Sequence, residues 1–296
     1  MSASPETTGT IYDIGYRHYD GPRLGRRGAI SAIVGAGLRA VFGLGRSGRS
    51  KILPWGSVIL AALPAFVAIA VRVLVPGGEL PGLATYDGYL WSVSALMPIF
   101  VAAQAPELVV NDIRHRVLPL YFSRPILRLD YVAAKLAALA AGLLALTLLP
   151  VLLLFAGRVL AAEDVLGALG DEIGALPGIV GTGVVYAIAL ASLGIAISSL
   201  AARRAYAAGA VLGVFLIGGV VSAIFAEAGG GLADASPFLN PLAILDGARE
   251  LLFGGGVADS PVAQSDVPLF AYGVATAALV AVSWAILALS YRRVTT

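Results

Sequence analysis

The chain has 296 residues, of which 58% are hydrophobic and only 13% charged, with a formal net charge of +2 and a mean hydropathy of +0.88. A soluble domain of this size carries about a quarter charged residues, so the composition indicates a polytopic membrane protein. With no cysteine, disulfides, thiolate catalysis and Cys-ligated metals are excluded, and His18 and His115 alone leave scarcely any material for a histidine metal cluster.

Residues 1–52 read as a cytoplasmic N-terminal segment and residues 53–296 as a six-span transmembrane domain. The first 27 residues are polar and no cleavable apolar core follows promptly, so no signal peptide is expected. Over 28–45 an apolar stripe with Val34, Leu38 and Val41, punctuated by Arg39 and ended by glycines, predicts an amphipathic helix lying in the cytoplasmic interface. The run "GLGRSGRS" at 43–50 nearly spells a phosphate-binding loop, with Arg49 in place of lysine. Such a loop needs a preceding buried strand and a following soluble domain, whereas Pro54 and an apolar span follow here, so nucleotide binding is not expected of it.

A helix crossing the roughly 30 Å hydrocarbon core needs about 20 mostly apolar residues. Six stretches qualify, at about 53–75, 88–106, 131–157, 175–200, 206–226 and 268–290. The alternate connections 1–52, 107–135, 201–205 and 291–296 hold 17 of the 20 Lys/Arg, while the other side keeps only Arg72, Arg158 and Arg249. The positive-inside rule then puts both termini in the cytoplasm. Of the 20 cations 18 are arginine, and with the abundance of Ala and Gly this points to a GC-rich bacterial genome and hence a bacterial plasma membrane. Within the spans ionisable groups are nearly absent, which argues against a proton-coupled secondary transporter.

Between the second and third spans, "RHRVLPLYFSRPILRLDYVAAK" at 114–135 places Arg114, Arg116, Arg124, Arg128 and Lys135 in 22 positions. Cations in a short cytoplasmic loop orient the protein and attract anionic headgroups. Leu108, Val109, Val110, Ile113, Val117, Leu118 and Tyr121 are mixed with that charge, predicting a short amphipathic helix that opens after Pro106 and is broken by Pro119 and Pro125. Such a helix packs on something, either lipid or another protein. Pro98 and Pro106 make the second span a candidate kinked helix.

The order of Asp112, Arg114, Leu118, Ser123, Pro125, Arg128 and Lys135 resembles the cytoplasmic loop of type-2 ATP-binding-cassette exporter permeases. The chain departs from that pattern in Asp112 where Glu is common, in Arg116-Val117 where a Gly-Thr step is usual, and in Ala134 where Gly commonly precedes the Lys. The resemblance implies a coupling loop of Glu107, Asp112, Arg114, Arg116, Arg124, Pro125 and Arg128 that seats in a separate ATPase subunit. It further implies two ATPase copies carrying the ATP and Mg, a second permease subunit (identical or homologous), and membrane lipids as surroundings. No nucleic acid is implied, and no catalytic, cofactor-binding or metal-binding residue in this chain. The N-terminal helix with Arg39 would touch the ATPase as well.

Farther along, Gly183, Ala187 and Ala191 stripe the fourth span, and Gly209 and Gly213 form GxxxG in the fifth. Small-residue stripes of this kind most often pack helices within one chain, while the resemblance implies a dimer-facing or substrate-lining role for the second and fifth spans. In the outer segment 227–267, Ser236 or Asn240 is placed to cap a short helix with Leu242, Ile244, Leu245, Leu251 and Leu252 on its apolar face. Whether that helix dips into the outer leaflet or lies on the surface stays open. The expected fold is thus an all-α polytopic bundle of six transmembrane helices, with an N-terminal interfacial helix and a short external helix before the last span. Three function classes remain: the permease subunit of an ATP-driven exporter of a hydrophobic or amphipathic substrate, which is favoured, a membrane enzyme, and a non-transporting membrane scaffold or assembly factor. No HExxH, Ser/Lys or paired intramembrane Asp pattern supports a membrane enzyme.

Overall fold

The computed structural model describes residues 24–75, 82–123, 125–255 and 265–292, with 21, 78, 80, 260, 262 and 263. Among the described residues every regular element is helical, in the order α1 (Gly25–Val41), α2 (Arg49–Leu74), α3 (Tyr86–Val93), α4 (Leu96–Arg114), α5 (Leu118–Phe122) and α6 (Arg128–Leu160). The remainder are α7 (Val165–Glu172), α8 (Leu176–Ser199), α9 (Arg204–Ala228), α10 (Gly231–Ala235), α11 (Pro241–Phe253) and α12 (Leu269–Arg292). Six of the helical segments, built on α2, α4, α6, α8, α9 and α12, are long and apolar enough to cross a membrane.

An inner and an outer set of spans can be distinguished by burial. Half or more of the most apolar stretch of α4, α6 and α8 is buried, against 11% of α2 and 17% each of α9 and α12. Lipid tails are as apolar as leucine, so the inner helices associate through close van der Waals approach rather than water exclusion. Small residues permit it: a Cβ added to Gly194 of α8 would meet Val101 of α4 at 2.3 Å, and one on Gly183 would meet Leu148 of α6 at 2.6 Å. Ala187 and Ala191 are buried on the same helix, so the stripe read in the fourth span packs inside this chain. Gly209 and Gly213 behave otherwise, with no described atom within 4 Å of an added Cβ.

α6 has 33 residues, about 50 Å at 1.5 Å per residue, and it extends well past a 30 Å hydrocarbon core. α1 runs alongside its first half. Arg26 forms a two-toothed contact with Asp130 (2.8 and 2.7 Å), Gly37 approaches Ala138, and Val41 approaches Gly142. The buried residues of α1 are Ile33, Gly37 and Val41, one turn apart, so of the expected stripe only Val41 is buried, with Val34 and Leu38 half-buried; Arg39 is exposed. The 43–50 glycine run is the reversal between α1 and α2. Gly43 and Gly45 take φ of 64° and 77°, which glycine adopts without a Cβ clash.

The second crossing, on α4, begins later than the expected 88–106, and the first residues of that stretch form the separate α3. α3 and α4 are separated at Ser94–Ala95, because Pro98 lacks an N–H for the Ser94 carbonyl and its ring crowds that group. Conversely, α4 continues through Pro106 to Arg114. The separate amphipathic helix expected after Pro106 is therefore the end of α4, and Pro119 opens the five-residue α5 rather than ending a helix.

Before the last span, Asn240 rather than Ser236 caps α11, accepting the Leu242 N–H at 3.0 Å, and Gly254 closes the helix at φ 73°. Ala243 through Glu250 are buried, whereas Leu251 and Leu252 are exposed. The apolar face drawn from the sequence is thus only half correct, and α11 is not a surface helix. A Cβ on Gly247 would meet Tyr272 of α12 at 2.2 Å, which shows how closely the two helices lie.

Candidate functional site

The loop between the second and third crossings is a hairpin made by the end of α4, the turn at 115–117, α5 and the start of α6. Two acids on α4 anchor it. Asp112 accepts the Tyr131 hydroxyl at 2.8 Å and faces Lys135 Nζ at 2.8 Å, with Lys135 only 7% exposed. The Lys135 cation also lies 5.4 Å from the centre of the Tyr131 ring. Tyr121 and Phe122 of α5 and Tyr291 of α12 surround that ring at 5.4, 6.3 and 5.7 Å. An ion pair sheathed in aromatic groups thus locks α5 onto α6 and α12.

Glu107 lies about 7–8 Å farther up α4. It is buried, and it pairs with Arg46 from the α1–α2 reversal and with Arg204 at the start of α9. One carboxylate therefore gathers three connections at the Arg-rich end of the bundle. Glu107 and Asp112, which the resemblance assigns to partner contact, both hold this chain together.

Only part of the expected coupling loop is left facing outward. Arg114, His115 and Arg116 are exposed at the hairpin tip, and Pro125 is exposed beyond α5. Arg116 has φ 52°, the left-handed region, costly for a residue with a side chain. Arg128 is half-buried and donates to the Arg292 carbonyl at 3.4 Å, tying the start of α6 to the end of α12. Arg124 lies outside the described residues.

A second charged constellation sits at the opposite end, and of its members the sequence reading named only Arg249, as a cation outside the Arg-rich side. Arg249 of α11 is fully buried and lies 2.5 Å from Asp87 of α3, 3.3 Å from Asp246 and 3.5 Å from Glu250. Tyr186 of α8 donates to Asp246 at 2.8 Å, and Ser260 donates to Glu250 at 2.7 Å. Burial pushes the Asp246 carboxyl up to about 6 against the opposing pulls of Arg249 and the Tyr186 hydroxyl. Nearby, Arg158 contacts Glu172 at 3.6 Å, donates to the Ala84 carbonyl and stacks over Tyr86. The arginines that depart from the charge bias at this end, Arg158 and Arg249, are thus internal partners of acids. A signal was available, since "DGARE" inside an apolar stretch places three charges within one helical turn or so.

Among the described residues no group of three or more His, Cys, Asp or Glu side chains is arranged to hold a metal ion. No protein-family model matches the chain, and no curated protein matches its sequence.

Proposed function

We propose that this chain is the membrane-spanning permease subunit of an ATP-driven exporter in a bacterial plasma membrane, with both termini cytoplasmic. In this reading, ATP and Mg are bound and hydrolysed by two copies of a separate ATPase subunit. A second permease subunit, identical or homologous, completes the pathway, and the cargo is a hydrophobic or amphipathic molecule such as a lipid, a lipid-linked molecule or a drug. α1 then lies at the cytoplasmic interface beside the ATPase.

The observation that carries the reading is the mechanical character of the α4–α5–α6 hairpin. Its tip offers Arg114, His115 and Arg116 outward, while Asp112–Lys135 and the tyrosine cluster bind its base to α6 and α12. A push on the tip therefore reaches two crossings without being absorbed by a slack loop. Rigid helices joined by packed side chains are what such transmission requires.

The test is the double variant Arg114→Glu with Arg116→Glu. One rim ion pair is worth a few tenths of a kcal/mol, but reversed charges at a desolvated contact add repulsion of several kcal/mol. The variant is expected to insert normally and to lose the ATPase or its coupling to transport. A cysteine at position 203, unreactive to an impermeant thiol reagent from outside, controls for orientation. Wild-type ATPase binding and transport in a correctly oriented double variant would leave the loop as a topological anchor only.

A further inference from the structure

At the Arg-rich end the α1–α2 reversal, α4 and the start of α9 enclose a cavity of about 410 Å³, lined by Arg46, Ser47, Arg49, Gln104, Glu107 and Arg204 among others. We infer that this cavity binds the anionic phosphate headgroup of a membrane lipid. The inference stands apart from the exporter reading, since it concerns binding to this chain alone.

Charge comes first. Three guanidinium groups against one carboxylate leave an excess of two positive charges around the cavity. Arg46 and Arg204 contact Glu107, but their side chains remain 44% and 52% exposed. Each guanidinium carries five N–H donors in a planar fork, so one contact to Glu107 leaves donors for a second anion, and that fork matches phosphate oxygens. No acid pairs with Arg49 among the described residues, although it lines the same space.

The second, independent observation is Gln104. It is 6% exposed, lines the cavity, and its amide makes no hydrogen bond to any described residue. Its amide opens on the cavity rather than being sealed off from it, so its donors and acceptor are available to a ligand. Beside it, Ser47 Oγ and Ser50 Oγ lie 3.5 Å apart and add hydroxyl groups at the rim.

A lipid headgroup rather than a free anion is favoured by what adjoins the cavity. Leu53 belongs to its wall, and on α2 the residues seven and fourteen positions on, Leu60 and Val67, lie on the same helical face and are half exposed. An acyl chain can follow that apolar track while its phosphate stays with the arginines. Basic pockets between helices on the cytoplasmic side are suited to anionic headgroups in this way.

Native mass spectrometry of the detergent-purified full chain, titrated with phosphatidylglycerol, phosphatidylcholine or inorganic phosphate, tests the inference. Wild-type protein should retain phosphatidylglycerol, and phosphatidylcholine should compete poorly. Arg49→Gln should weaken retention about fivefold, the value of roughly one cation near an anionic headgroup, and Gln104→Leu, which removes about one net hydrogen bond, should separately weaken it by a similar factor. The control Arg27→Gln, an exposed arginine of α1, should leave it unchanged. Equal retention in Arg49→Gln, Gln104→Leu and Arg27→Gln would overturn the site, as would equal competition by phosphatidylcholine. Displacement of the lipid by millimolar inorganic phosphate would reject a headgroup ligand in favour of free phosphate.

Discussion

Arg249 Nε lies 2.5 Å from Asp87 Oδ1, a buried contact that fastens α11 to α3. Two further acids, Asp246 and Glu250, face the same guanidinium. Removing one partner of a buried ionic group leaves the others desolvated and unpaired, at about 3–5 kcal/mol. Arg249→Met is therefore expected to lower the thermal unfolding temperature of the purified protein sharply. Arg249→Lys should recover little, because one ammonium cannot reproduce the spread of a fork across three carboxylates. An unfolding temperature unchanged in Arg249→Met would show that the cluster adds nothing to stability.

Protonation of Asp246 should be visible in the pH dependence of stability. Its carboxyl is raised to about 6 from an ordinary 3.8 by burial. Between those values the folded state holds a proton that the unfolded chain has released, so this group makes stability fall as pH rises through the window. Above about 6 its contribution is constant. The groups facing it are Arg249, Tyr186, Glu250 and Asp87. In Asp246→Asn that fall disappears. The unfolding temperature of the variant relative to wild type should climb from pH 4 to pH 6 and then level. A difference that stays flat across this range would refute the raised value.

Asp112 and Lys135 are expected to couple strongly. Lys135→Met leaves a mostly buried carboxylate with the Tyr131 hydroxyl as its remaining partner, a cost of about 2–4 kcal/mol. Adding Asp112→Leu removes the stranded charge, and the double variant should recover to within about 1 kcal/mol of wild type. Denaturant unfolding of both singles and the double measures the cycle. Simple additivity of the two losses would mean that the pair does not interact.

Two glycine sites should respond in opposite ways. A methyl at Gly247 meets the Tyr272 ring at 2.2 Å, and overpacking of this kind costs about 1–3 kcal/mol. Gly213→Ala meets nothing within 4 Å, so the isolated chain should lose no stability. If the open face of α9 meets a second subunit, Gly209→Leu with Gly213→Leu should impair subunit association while leaving the unfolding temperature of the single chain intact.

Long spans were legible because they depend on one local quantity, apolar length. The predicted segments at about 131–157 and 206–226 correspond to α6 and α9, each extending a few residues further in the structure. The second crossing was displaced because its apolar window ends at Pro106 while the helix does not. α4 carries Glu107 and Asp112 inward to Arg46, Arg204, Tyr131 and Lys135, partners that supply polarity no hydropathy window registers. The same blindness hid the cluster around Arg249, whose acids Asp87, Asp246 and Glu250 come from two separate helices. Asp87 illustrates the point, since it precedes an apolar run by one position and is nonetheless buried.

By itself the sequence determined that the chain is a multi-span helical protein, with a helix before the first span and a capped one before the last. Each of those follows from periodicity, composition or a capping residue, all short-range properties of the chain. Tertiary structure alone decided which charges face inward, that α1 runs beside α6, and that Arg114, His115 and Arg116 remain at an exposed tip. The physical reason is desolvation: a charge is tolerated inside only when an opposite charge arrives from another helix, and that arrival depends on how distant segments pack.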